Sequence, residues 1–318
     1  HATLQIVTVA LGSPLGREVA PREVGALAAS RLSTLLCLPP DQHRLIVACG
    51  AGAGLAAVYN VPLGAALFVL EVLLGTFAWP AATAALAASC IGAVVAWMGL
   101  GDEIQYALPA MTVNAGLIAW SVLAGPVFGL AAYGFVRLTS AARRHAARGW
   151  QLPVAALINF TLIGCLAIAL PALLGNGKGA AQLGFSNELT IGMAATLLVL
   201  KVAITSSSLR AGASGGLLTP GIAIGALLAV VLGGLWSLAW PGAPLGAYAV
   251  VGAAAFLASS MSMPLTAIVL IAEFTRVDQG FLVPIILAVA GSTAAHHFLS
   301  SRAARSPAAP QGTTRSTP

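Results

Sequence analysis

Charge is what this sequence has least of. Only 8% of its 318 residues are Asp, Glu, Lys or Arg, against about a quarter in an ordinary soluble domain. That deficit excludes a soluble globular chain. Alternating apolar and polar stretches are also missing, which excludes a transmembrane barrel. Four cysteines, Cys37, Cys49, Cys90 and Cys165, stand far apart with no CxxC spacing, so neither a metal site nor a disulfide framework is expected and all four read as buried small hydrophobes. Aromatics make up 6% and do not interleave with the basic residues, which argues against a nucleic-acid surface. No cofactor motif and no enzyme's catalytic constellation organises the chain.

What is present is apolar: 58% of the chain. Long runs at 81–100, 115–136, 154–174, 189–200 and 221–240 approach or reach the roughly 20 residues a helix needs to cross the hydrocarbon. The expected fold class is therefore an all-α integral membrane bundle in the lipid bilayer. Thirty-five glycines and 18 prolines predict close helix crossings together with short and broken helices. The net charge of +6 comes largely from "RRHAAR" at 143–148 and from the tail 301–318. Both are expected on the cytoplasmic side, with the tail disordered. Multi-pass insertion in a bacterial inner membrane is the expected localisation.

An internal repeat organises the sequence. "GAGAGLAAVYNVPLGAALFVLE" (50–71) aligns without gaps on "GAAAFLASSMSMPLTAIVLIAE" (252–273), with nine of 22 positions identical at an offset of 202. Upstream, "GREVAPREVGALA" (16–28) parallels "GGLLTPGIAIGALLA" (215–229). The same features in the same order imply duplication, as in transporters whose halves enclose a midplane site. Residues 1–100 are expected to form the remainder of a first repeat and 101–300 a second. The chain begins at His1, with far less sequence before the first copy than before the second; equal halves would need upwards of about 100 further residues, so an amino-terminal truncation is expected. In each copy a Gly-bounded stretch leads directly into an apolar helix. A helix start directs unpaired N–H groups and the positive end of its dipole outward, and so attracts an anion.

Taken together, "GREVAP", "GAGAGLAAVYNVPLGAALFVLE", "LPALLGNGKG", "GASGGLLTP" and "FLASSMSMPLTAIVLIAEFT" resemble the successive signatures of the ClC chloride channel and transporter family. The resemblance implies an inverted-repeat helical fold and a homodimer in which each subunit carries a pathway for chloride or a similar small anion. It sets Glu18 on the gating glutamate, with Arg17 beside it and the backbone amides of Glu18, Val19 and Ala20 facing the anion. It sets the amides of Leu217 and Leu218 at the central anion. The sequence departs from the pattern in several places. The family's serine loop has no match, and Arg305 stands near the position of its pore tyrosine. Val72 stands where exchangers carry an internal proton-transfer glutamate, which favours a passive channel over a proton-coupled antiporter. Pro21 is shifted by one residue, and Arg22 and Glu23 replace uncharged neighbours.

Each singled-out residue also has a plainer reading. Glu18 could be a structural charge paired with Arg17 or Arg22, although an ionisable group in a membrane segment is by default functional. Glu71 and Glu273 occupy equivalent repeat positions, which predicts a structural role, capping a neighbouring helix or pairing at the dimer-facing surface, over proton transfer. Lys201 is expected to snorkel to an interface. Ser206, Ser207 and Ser208 serve either the pathway or small-residue packing, and His296 and His297 end the last apolar run. A rival from another class takes "GASG" (212–215) as a rhomboid-like intramembrane protease motif, with Ser214 as nucleophile and His296 or His297 as base. It leaves the repeat and "GREVAP" unexplained.

Overall fold

A computed structural model describes residues 2–305. Among them the chain folds as thirteen α-helices in the order α1 (Ala2–Ala10), α2 (Val19–Leu35), α3 (Pro40–Tyr59), α4 (Pro62–Phe68), α5 (Trp79–Leu100), α6 (Ala115–Arg144), α7 (Gln151–Ala169), α8 (Lys178–Phe185), α9 (Ile191–Arg210), α10 (Leu218–Ser237), α11 (Leu245–Ser260), α12 (Pro264–Thr275) and α13 (Leu282–Arg305). Six segments are long and apolar enough to cross a membrane: α5, α6, α7, α9, α10 and the 25 residues Gln279–Ala303. The predicted run 154–174 stops at Ala169, because Pro171 cannot continue the α-helical ladder. The run 189–200 continues to Arg210. The last helix reaches Arg305, so the tail expected to be disordered from 301 is helical over 301–305, where the apolar run of α13 carries its ladder on; residues 306–318 lie outside the described residues.

Local chemistry sets the helix starts. Asn114 accepts a hydrogen bond from the Leu117 N–H at 2.8 Å to cap α6, and Thr190 accepts from Met193 to cap α9. Proline occupies the first turn of α3, α4, α5 and α12, where its missing N–H costs nothing. Helices α10 and α11 form the centre. The apolar window of α10 is 78% buried, against 17% for α7, and almost every residue of α11 is buried. A helix apolar all round belongs in such a core. Helices α2 and α3 cross where Gly25 meets Gly50, and a Cβ on either would overlap the other's carbonyl oxygen.

The two similar stretches fold alike. Helix α3 ends at Asn60 in the left-handed region (φ 57°), followed by Val61 at φ −134°, ψ 68° and then Pro62 opening α4. Helix α11 leads to Ser262 at φ 54°, Met263 at φ −137°, ψ 67° and Pro264 opening α12. The break is thus repeated angle for angle. One difference follows: α4 runs on through a π-helical turn, Val69–Leu74, to a left-handed Gly75, whereas α12 reaches its left-handed Arg276 one residue sooner. The additional residue falls after Glu71, and the wider turn accommodates it.

The cysteine expectation holds for Cys49 alone; Cys37, Cys90 and Cys165 are exposed and all four thiols are free. In a membrane bundle an apolar neighbourhood does not imply an interior position, because the outer face of a spanning helix is apolar as well.

Candidate functional site

The two Gly-bounded helix starts meet. Gly16 and Gly216 form an isolated antiparallel bridge, with Gly16 N–H to Gly216 O at 2.8 Å and Gly216 N–H to Gly16 O at 3.2 Å. Immediately beyond it α2 begins at Val19 and α10 at Leu218. Residues 200 apart in sequence therefore bring two helix N-termini, each with unpaired N–H groups and a positive dipole end, to one point.

Glu18 occupies that point. It is the residue ahead of α2 and is 1% exposed. Its Oε1 accepts from the Leu218 N–H at 3.0 Å, and its Oε2 accepts from the Tyr59 hydroxyl at 3.3 Å. Tyr59 lies in the last turn of α3, and its hydroxyl also contacts Thr219 Oγ1 at 2.9 Å. The carboxylate is cradled by the two bridge glycines: a Cβ at Gly16 or at Gly216 would overlap it. Glycine is required here by close approach rather than by backbone angle.

The predicted charge partners behave otherwise. Arg17 is exposed, with its guanidinium carbon 5.6 Å from the Tyr59 ring centroid, and Arg22 stacks over Phe68 at 4.6 Å. Backbone and phenol donors hold Glu18, and of the two arginines considered above Arg22 lies close enough to act on it through its charge. Of the other predicted anion-contact positions, Val19 is partly exposed and Ala20 buried in the first turn of α2. Leu217 precedes α10, and Leu218 presents its N–H to Glu18. A cavity of about 430 Å³ opens beside the bridge, lined by Val19, Ser214, Gly215 and Arg143 among others.

Glu71 and Glu273 are reciprocal caps. Glu71 accepts from the Leu265 N–H (3.1 Å), the Thr266 N–H (2.7 Å) and the Thr266 hydroxyl (2.6 Å) at the start of α12. Glu273 accepts from the Leu63 N–H (2.9 Å) and the Gly64 N–H (2.7 Å) at the start of α4. Each carboxylate leaves its own helix and closes the N-terminus of the partner copy. Val72, beside Glu71, is 40% exposed.

Lys201 does not snorkel. It is fully buried in α9, and its ammonium donates to Gly175 O at 2.7 Å and Leu173 O at 3.2 Å. The break after Pro171 leaves carbonyls without helical partners, and these hold the ammonium inside the protein. Ser208 accepts from Asn159 of α7 at 2.9 Å, and Ser207 donates to Ile204 O within α9, so these two serve packing; Ser206 is buried beside them. The protease constellation is not assembled. Ser214 lines the cavity beside the bridge, while His296 and His297 line a separate one near Ser259 and Pro264.

Sequence reasoning missed Tyr59 and Thr219. Their partners lie 41 and 160 residues away, and the only available signal was that Tyr59 stands opposite Met261 in the repeat.

Comparison with known proteins decides the family. Residues 1–297 match the family described as voltage gated chloride channel. The chain belongs to that family. Among bacterial members, it is 31% identical over 307 residues to the voltage-gated ClC-type chloride channel ClcB of Citrobacter koseri, covering 89% of this chain and 70% of the relative. It is also 31% identical over 314 residues to the protein of that name from Shigella flexneri, covering 93% and 72%. Two solved structures share the fold. One, a slow cyanobacterial Cl−/H+ antiporter, superposes with a TM-score of 0.82 at 20% identity over 91% of this chain and 69% of its own. The other, a CLC-type fluoride/proton antiporter, gives 0.73 at 25% identity over 89% and 70%. As a ClC family member, the chain is a multi-pass inner-membrane protein of anion transport.

Proposed function

We propose that this chain passes chloride, or an anion of similar size, through a pathway closed by Glu18, and that it does so as a passive channel. One observation carries the reading: a buried carboxylate lodged where two helix N-termini converge, held by donors that an anion would use. Arg17, Val19, Ala20 and Leu217 complete the anion's surroundings with Leu218. An ionised Glu18 competes with the anion for those donors; protonation, or a swing of the side chain, frees them. The backbone is bridged at Gly16 and Gly216, so the side chain can move while the scaffold stays. A homodimer with one pathway per subunit accompanies this reading, on the strength of the family resemblance.

Passive conduction is favoured by what stands at positions 71 and 72. Proton coupling needs a carboxylate able to bind and release protons on a path separate from the anion's. Glu71 is committed to three hydrogen bonds at the start of α12, and Val72 has no ionisable group. The second reading, a proton-coupled antiporter, draws its support from the fluoride/proton antiporter at 25% identity. Vesicles carrying the protein and a chloride gradient separate the two. Chloride flux without uphill proton movement is expected. Proton movement at a fixed ratio to chloride would overturn the channel reading.

A further inference from the structure

The Tyr59 hydroxyl sits between Glu18 and Thr219 in a buried pocket, 3.3 Å from the carboxylate and 2.9 Å from the threonine oxygen. A phenol carries one proton and an ionised carboxylate only accepts. The direction of both bonds is therefore fixed: Tyr59 donates to Glu18, and Thr219 donates to the Tyr59 oxygen. The ring cannot easily turn away. It packs edge-on against Phe274 with centroids 5.3 Å apart, and the Arg17 guanidinium covers it. Only the first copy of the repeat has this group, because the aligned residue in the second is Met261.

When the Glu18 side chain leaves its seat, two donors remain aimed at the same volume: the Leu218 N–H and the Tyr59 O–H. The Leu218 N–H would then be buried without an acceptor, which is costly, and the Tyr59 O–H could turn only to Thr219 Oγ1, whose own proton would have to leave the Tyr59 oxygen. A small anion satisfies both at once. We propose that Tyr59 is an anion-coordinating residue of the pathway, its hydroxyl oriented by Thr219 and holding in turn the Glu18 carboxylate and the anion that replaces it. Hydroxyl donors favour anions of high charge density, so this residue biases the site toward chloride or fluoride over thiocyanate. The inference rests on the gate reading above and adds to it a ligand that the repeat and the helix termini do not supply.

The test uses the intact protein with Glu18→Ala, which exposes the donors to a free anion. Chloride affinity is measured by calorimetry for Glu18→Ala and for Glu18→Ala with Tyr59→Phe. Phenylalanine keeps the ring against Phe274 and removes only the hydroxyl. Loss of one hydrogen bond to a charged group predicts an affinity fall of about tenfold or more. Should the Tyr59→Phe variant fail to fold, Thr219→Val, which removes the orienting hydroxyl from a side chain of the same shape, serves instead. It is expected to lower the chloride-to-thiocyanate flux ratio in vesicles. Unchanged chloride affinity in the double variant, or an unchanged flux ratio in Thr219→Val, would overturn the role of Tyr59. If Glu18→Ala does not raise flux, the gate reading itself falls, so the two failures are distinguishable.

Discussion

Replacing Glu71 by alanine removes three acceptor contacts from the start of α12 and leaves the Leu265 and Thr266 N–H groups and the Thr266 hydroxyl without a partner. Hydrogen bonds to a charged group contribute roughly 1.5–3 kcal/mol each when buried, and removal of an N-terminal cap as a whole costs about 0.5–2 kcal/mol where water can replace it. Glu71 is only partly buried, so about 3 kcal/mol is the working figure, between those bounds. Glu273 makes two such bonds, and about 2 kcal/mol follows for Glu273→Ala. At roughly 2 °C per kcal/mol for a chain of this size, the midpoints of thermal unfolding in detergent should fall by about 6 °C and about 4 °C. Helices α4 and α12 pack on each other, so the double variant should lose about 1 kcal/mol less than the sum. Glu71→Gln keeps one acceptor and should recover about half of the loss. The cap account makes a second demand: these losses appear in stability while anion flux through the surviving folded protein is retained. A Glu71→Ala midpoint within about 1 °C of the parent would refute the reasoning.

Other perturbations act on different parts of the account. Gly216→Ala drives a Cβ into the Glu18 carboxylate; flux in vesicles at neutral pH should rise, with no further rise when Gly216→Ala is added to Glu18→Ala. Lys201→Met strands the Leu173 and Gly175 carbonyls and should lower the unfolding midpoint by about 4 °C, on about 2 kcal/mol for two buried acceptors. Asp102, exposed after α5, is held below the ordinary aspartate value by hydrogen bonds from Asn60 and Arg276. Its stabilising contribution is present above the ordinary value of 3.8 and is lost as pH falls through its lower folded value. Asp102→Asn should therefore be slightly less stable than the parent at pH 6, and the two should converge in strong acid.

Much of the fold was legible because it is written as periodicity and repetition. The 202-residue offset implied duplication, and the paired dihedrals at Asn60–Val61 and Ser262–Met263 follow it. The two Gly-bounded helix starts were legible too, at 16–28 and 215–229, while the Gly16–Gly216 bridge that joins them needed the structure. Capping by Glu71 and Glu273 was readable as a role, while the exchange of carboxylates between copies needed the three-dimensional crossing. What escaped was long-range or context-dependent. Lys201 looked like an interfacial lysine because its acceptors come from a helix break 26 to 28 residues earlier. The cysteines were misread because lipid-facing and interior positions have the same apolar neighbours in sequence. The π-helical turn around Glu71, Val69–Leu74, left no trace except one unaligned residue. Tyr59 met Glu18 only once α3 packed against α2.

The central claim, that the Glu18 carboxylate closes the anion pathway by occupying its donors, is tested most directly by one comparison. Anion efflux is measured from vesicles containing the protein and its Glu18→Gln variant over a range of external pH. The account predicts higher flux for the variant and a flattened dependence on pH, because glutamine neither ionises nor holds the donors as a carboxylate does. A variant whose flux and pH response match the parent would contradict it.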